Sequence, residues 1–293
     1  MMASRLWDRL GCRRKTAGNP AARVQAQVLS DIGCRRDINE DSACCIRPAD
    51  ISLLQSKGVL AIVADGMGGQ PAGEVASRIA IDSIAKAYYD SPCDAEQALR
   101  EAFAVANVAI RNAANTSETS KGMGATCTAM ALLPGAAIFG HIGDTRLYRL
   151  RDGELQQLTE DQTRVMRMVK QGLLSRADAR THADRNVILQ ALGQRSSVDG
   201  AQWGSPFSTE IGDQFVLCSD GLHDLVSDEE IGECVLRHEP ESVCQDLVAL
   251  AKCRGGHDNI TVVVLRVVAA SNNPRATSPD ADEEDKSSVT PNH

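Results

Sequence analysis

Short apolar runs that end on an acidic turn constrain this chain more than any other feature. VLAIVA (59–64), TCTAMALL (126–133), AAIFGHIG (136–143), QFVLCSDG (214–221) and ITVVVLRVV (260–268) are each of strand length and bounded by Gly, Pro or Asp. LPG at 133–135 and RDG at 151–153 have hairpin-turn composition, which predicts antiparallel neighbours. Helical periodicity falls in pairs between the strands, at 72–89 with 94–114 and at 227–238 with 240–253. Asp94 and Gln97 have capping-box spacing, Leu99, Phe103, Ala106 and Ile110 share one face, and Ser227 with Glu230 repeats the box. Pro240 opens the last helix, and Gly255 and Gly256 stop it. Grouped strands and paired helices exclude strict βαβ alternation. They predict an α+β fold with sheet packed on sheet and helices outside.

Composition narrows the class. A hydrophobic content of 43% supports a packed core in 293 residues, and aromatics at 3% leave Ala, Val, Leu and Ile to fill it. The formal charge of −8 disfavours nucleic acid or an anionic membrane as main partner. Ten cysteines are scattered without a C-x-x-C pair, so free, largely buried thiols are expected rather than a zinc cluster or a disulfide framework. No run approaches the roughly 18 apolar residues of a membrane span, and the N-terminus lacks a signal-peptide core. These features predict a soluble, cytoplasmic monomer. Residues 1–23 are expected to be a flexible basic arm and 270–293 a disordered acidic tail, flanking a folded domain at 24–269. Segment 160–195 is helical by pattern but amphipathic only in short bursts, and is expected to leave the core as an excursion.

The acidic turns carry the chemistry. VADGMGG (63–69) sets one carboxylate before a glycine-rich loop, but Gln70 and Pro71 follow where a phosphate-cradling Walker loop needs Lys and Ser or Thr. Four apolar strands deliver an aspartate into a turn: Asp65, Asp144, Asp220 and Asp258. RRDINEDSA (35–43) adds Glu40 and Asp41 beside Arg36. Any one of these is an ordinary turn residue; the set is harder to explain that way. Gathered carboxylates repel one another and raise each other's pKa unless cations hold them, and hard oxygen ligands suit Mg²⁺ or Mn²⁺. His141, His223 and His257 lie near these turns without zinc-site spacing, and no G-x-S-x-G elbow is present, so Ser219 reads as structural.

The ordered motifs SDIGCRRDINEDSA, VADGMGG, GATCTAMAL, HIGDTRLYRLRDGELQQLTEDQT, LCSDGL and GGHDNITVVV, spread over residues 24–268, resemble the metal-dependent Ser/Thr protein phosphatases of type 2C in their short bacterial form. The resemblance implies a single α-β-β-α sandwich with a two-metal site, holding Mn²⁺ or Mg²⁺, at one end of its sheets. By that likeness Asp65 bridges both ions with help from the Gly66 carbonyl. Asp220 and Asp258 hold the first ion, and Glu40 and Asp41 hold the second with its waters. Asp144 joins Asp220 at a weaker third ion, Arg36 binds the substrate phosphate, and 160–195 is the flap.

The implied reaction is hydrolysis of phosphoserine and phosphothreonine in proteins, opposing a bacterial Ser/Thr kinase. A metal-bridged hydroxide attacks phosphorus in line, with Arg36, Asp41 and Asp65 as the catalytic group. Two departures stand out. Met67 follows the DG where many eukaryotic relatives carry the histidine assigned as general acid, so water near Asp144 is expected to donate instead. DQT at 161–163 lacks the histidine of many bacterial flaps. Arg146 and Arg149 are expected to stay solvated, and Met166 and Met168 to serve packing. Two other readings are weighed here: a phosphoprotein-binding module without turnover, and a two-metal nuclease or small-molecule phosphohydrolase.

Overall fold

The computed structural model describes residues 22–68, 72–116 and 120–270. The first sheet holds, in spatial order, β1 (Ala22–Asp31), β10 (Ile260–Ala269), β9 (Gln214–Cys218), β6 (Arg146–Arg151) and β7 (Glu154–Gln157). The second holds β2 (Asp41–Ile46), β3 (Val59–Met67), β4 (Gly124–Leu133), β5 (Ala136–Ile142) and β8 (Gln202–Ser208), and the pairing is antiparallel throughout. Helices α2 (Ala72–Asp90) and α3 (Ala95–Ala114) cover the second sheet, and α7 (Asp228–Arg237) and α8 (Pro240–Cys253) cover the first. This is the expected α+β sandwich of four layers.

Side-chain alternation explains why the central strands read as unbroken apolar runs. In β3, Leu60, Ile62 and Ala64 face α2 and α3, while Val59, Ala61 and Val63 face the other sheet. β10 does the same, with Val262 and Val264 toward α8 and Val263, Leu265 and Val267 between the sheets. A strand buried on both faces has no polar side to show. Three apolar layers result, one between the sheets and one under each helix pair.

The local signals give mixed results. Ser227 and Glu230 form the complete capping box at the start of α7. At α3 only half of the box forms: Asp94 accepts from Gln97 N–H at 2.9 Å, but the Gln97 side chain donates to Glu101 instead. The RDG turn joins β6 to β7 with Asp152 at φ 52° and Gly153 at φ 82°, the left-handed pair that a two-residue hairpin needs. Segment 160–195 is less helical than its pattern. It forms α4 (Arg164–Lys170) and the short α5 (Arg176–Ala179), with Thr163 bridged to Ile188 and Leu192 to Ala125. Gly172 at φ 70° and the Ser175 cap break it between the two helices. Strands β1, β2 and β8 and helix α1 (Ile51–Lys57) carry no clear signal in the sequence.

β1 starts at Ala22 and pairs Arg23 with Val268, so the last two residues assigned to the arm belong to the sheet. The rest of the arm, and the tail beyond residue 270, lie outside the described residues. Every described cysteine is a free thiol: Cys127, Cys218 and Cys244 are buried, and Cys34 and Cys253 are exposed. Among the described residues no helix is long and apolar enough to cross a membrane.

Candidate metal centre

Strand register builds the centre. β2 and β3 place Asp41 directly opposite Asp65. Like charges at a cross-strand pair oppose sheet formation, so this pairing needs a compensating positive charge. β9 ends at Cys218 and Asp220 opens α6 (Asp220–His223), while Asp258 stands two residues before β10. Because β9 and β10 run antiparallel, with Cys218 opposite Val262, both aspartates emerge at one end of the first sheet. Asp144 sits where the chain leaves β5 in the second sheet for β6 in the first. Asp31 pairs with Ile260, and the loop after it carries Arg36 and Glu40 to the same end.

The electrostatics register this convergence. Burial raises the Asp65 pKa well above the ordinary carboxylate range, and Asp41, Asp220, Asp144 and Asp258 raise it further. Burial, then Asp144, Asp224 and Asp258, act in the same way on Asp220. Asp144 is pushed up to about 7 by burial with Asp161 and Asp224. Asp41 rises to about 6 through burial, restrained by a hydrogen bond from Ser219 Oγ to its Oδ2 at 2.7 Å. Glu40 is raised by burial and partly relieved by Arg36. Asp65, Asp220 and Asp258 keep partial exposure, whereas Glu40, Asp41 and Asp144 are buried.

Arg36 sets a cation directly against these carboxylates. Its Nη2 donates to Asp258 Oδ2 at 2.7 Å and its Nη1 lies 3.6 Å from Glu40. Burial pulls its pKa down, but the Asp258 carboxylate, with Glu40 and Asp65 behind it, holds it above the ordinary value. The side chain stays 42% exposed, which leaves N–H groups free for a ligand. Two buried carboxylate oxygens, Glu40 Oε1 and Asp144 Oδ1, have no hydrogen-bond partner. Unpaired buried anionic oxygens beside further carboxylates fit divalent cations well and fit little else.

Two glycines shape the bowl. A Cβ on Gly73, in the first turn of α2, would stand 2.3 Å from Glu40 Oε1, and one on Gly66 would stand 2.0 Å from the Gly73 carbonyl. Gly66 N–H donates to the Glu40 carbonyl at 3.1 Å, locking these two segments together. All of Arg36, Glu40, Asp41, Asp65, Gly66, Asp144, Asp220 and Asp258 therefore come to one end of the sandwich.

Sequence reasoning missed several neighbours. Asn259 is buried and makes three bonds: its Oδ1 accepts from Glu40 N–H at 2.8 Å, and its Nδ2 donates to the Ile32 and Ile38 carbonyls at 3.0 Å each. It fixes the loop that carries Arg36 and Glu40 against the Asp258 turn. Ser219, read as structural, ties that turn to β2, since its hydroxyl accepts from Thr261 N–H at 3.0 Å and donates to Asp41. Arg146 overturns the expectation that it is solvated. It is 15% exposed, pairs with Asp161 at 2.6 Å and bonds Tyr148 Oη, because the buried Asp161 carboxylate needs a cation beside it. The guanidinium of Arg149 reaches Gln156 and lies over Phe207.

His141 and His223 are buried, and their pKa values fall to about 4, so both are neutral. His141 packs between Thr128 and the Glu160 carbonyl, and His223 against the Asp144 carbonyl. A cavity of about 200 Å³ opens beside Asp144 and Asp220, with Asp224 and His223 on the core side and Met166 and Arg180 on the flap side. Met166, expected to serve packing, thus lines it.

The family model Protein phosphatase 2C matches residues 48–251. The chain is 33% identical over 247 residues to the protein phosphatase PhpP of Streptococcus pneumoniae, covering 83% of this chain and 97% of that protein. It is 38% identical over 240 residues to the serine/threonine protein phosphatase PstP of Mycobacterium tuberculosis, covering 82% of this chain and 44% of that protein. Among solved structures, the catalytic domain of PstP in complex with two manganese ions superposes with a TM-score of 0.73 at 36% identity, over 84% of this chain and 99% of that domain.

Proposed function

The chain belongs to the protein phosphatase 2C family and is a protein-serine/threonine phosphatase whose substrates are phosphoproteins, and from that premise we propose how its acidic end performs the reaction. The residues that would hold divalent cations, Mn²⁺ or Mg²⁺, are Asp65 with Asp220 and Asp258 for one, Asp65 with Glu40 and Asp41 for the other, and Asp144 with Asp220 for a weaker third. The Gly66 carbonyl supports Asp65. Ions held in this way supply Lewis-acid charge, which acidifies water and offsets the phosphoryl oxygens. The observation that carries this reading is the pair of partnerless buried oxygens, Glu40 Oε1 and Asp144 Oδ1, at the one end where six carboxyl groups meet.

The chain's own residues then have separable roles. Arg36 presents its exposed N–H groups to the equatorial oxygens of the phosphate, a planar donor set that suits them. Asp258 and Glu40 hold that guanidinium in place. Asp41, fixed by Ser219, orients the attacking water as a hydrogen-bond acceptor. Met67 has no proton to give, so water ordered at Asp144 protonates the leaving Ser or Thr oxygen. A second PP2C feature follows from the same reading: the counterpart is a Ser/Thr kinase acting on the same proteins in the cytoplasm.

Hydrolysis of a phosphothreonine peptide by purified protein, assayed with and without Mn²⁺, tests this directly. Activity should require the ion, and Asp65→Asn should abolish it with the circular dichroism spectrum intact. Calorimetric titration should count at least two Mn²⁺ sites in the wild type. Turnover that persists in the chelated protein, or in Asp65→Asn, would refute the assignment.

A further inference from the structure

The chain carries a net charge of −8, yet one cleft beside the acidic centre sets three cations, Arg167, Lys170 and Arg195, against two acids, Glu160 and Asp161. This cleft, of about 440 Å³, lies against the flap: α4 contributes Arg167 and Lys170, the return loop contributes Gln190 and Arg195, and β8 contributes Gln202. Asp161 and Thr163 line both this cleft and the cavity over Asp144 and Asp220, so a stretch of three residues separates the two. Gln162, between them, couples the spaces. Its side-chain carbonyl accepts from Gly143 N–H at 3.0 Å, one residue before Asp144, and its amide donates to the Gly200 carbonyl at 2.9 Å.

The positive charge in the cleft is only partly neutralised internally. Asp161 is engaged by Arg146, and Glu160 pairs with Lys170 at 2.6 Å. Arg167 and Arg195 make no side-chain hydrogen bond or ion pair among the described residues. Both side chains are exposed, so two unpaired guanidinium groups face whatever enters the cleft. Their planar donors match carboxylates. A peptide that crosses the cavity over Asp144 and Asp220 would meet this cleft across the Asp161–Thr163 wall, because both residues line both spaces.

We propose that this cleft binds Asp and Glu side chains near the phosphorylated residue, so that Arg167 and Arg195 select phosphoproteins with acidic flanks. The proposal rests on the phosphatase reading and adds the substrate class to it. It is tested with two phosphothreonine peptides that differ only in having Glu or Gln within five residues on either side. Each is assayed on the Mn²⁺-loaded wild type and on Arg167→Gln/Arg195→Gln, with an aryl phosphate as control. The wild type should favour the Glu peptide about tenfold in kcat/KM, mainly through KM, as expected for two solvent-accessible charge pairs. The double variant should lose that preference to within about twofold and keep its aryl phosphatase rate. Equal use of both peptides by the wild type, or a preference that survives in the variant, overturns the proposal while leaving the phosphatase reading intact. A wild type that fails on aryl phosphate and on both peptides sinks the phosphatase reading itself.

Discussion

Asp144→Asn should make the metal-free protein more stable, and by an amount that depends on pH. The native carboxyl group is buried, one of its oxygens has no partner, and its pKa is raised from 3.8 to about 7. A carboxyl group with a folded pKa above its unfolded value binds its proton more tightly in the fold. Its contribution is complete below about pH 4 and is lost as pH rises through about 7. At about 1.4 kcal/mol per pKa unit, the ionised group destabilises the fold by roughly 4 kcal/mol at pH 8, and about half of that remains at pH 5.5. Asparagine removes the charge, so the variant should melt about 10 °C higher at pH 8 and about 5 °C higher at pH 5.5, given the usual few degrees per kcal/mol for a domain of this size.

The comparison has to be between variant and wild type. His141 and His223, held neutral with pKa values near 4, each lose stability as pH falls through about 6.5, where the unfolded chain takes up protons. This opposes the Asp144 effect over the same range and cancels in the difference. The assay is thermal or urea unfolding in chelator, repeated with saturating Mn²⁺, where the advantage of the variant should shrink because the ion uses the charge that asparagine lacks. A variant no more stable than wild type at pH 8, or a gap constant between pH 8 and pH 5.5, would show that Asp144 is not held under the strain described.

Three further outcomes are expected. Arg36→Lys should lower kcat/KM for phosphopeptides by about 10²-fold, because a point charge replaces a planar donor pair, while leaving Mn²⁺ affinity within a few-fold; kinetics and calorimetry check the two halves. Asn259→Ala removes three hydrogen bonds, one buried and two partly buried, and should lower stability by about 3 kcal/mol in urea unfolding, and should weaken Mn²⁺ binding by loosening the Glu40 backbone. Arg146→Ala strands the buried Asp161 carboxylate and should destabilise the fold by about 3–5 kcal/mol, with recovery on acidification as Asp161 takes a proton.

Much of the centre was legible because each aspartate sits where an apolar strand stops, and the sandwich sends those strand ends to one place. Glu40 and Asp41 were harder to read, since β2 is short and half-buried and gives little periodicity. Asn259 was read past because its bonds exist only across distant segments: it bonds Glu40, Ile32 and Ile38, more than two hundred residues away in the chain. Arg146 misled for a similar reason. Its partner Asp161 lies 15 positions away, and only the placement of the flap start beside β6 buries the pair. The flap itself was over-read as helix, because charged and apolar residues alternating in bursts satisfy a helical count without a face to bury.

The pairing of β1 with β10 has a consequence for how such a unit can be assembled with others. Ala22 stands opposite Ala269, while ten residues along, Asp31 stands opposite Ile260 at the acidic end. The described chain therefore enters and departs the sandwich through a single doorway, about 30 Å from the acidic end. A unit wired like this can be spliced into a host protein, or joined to passengers there, with the join far from its carboxylates.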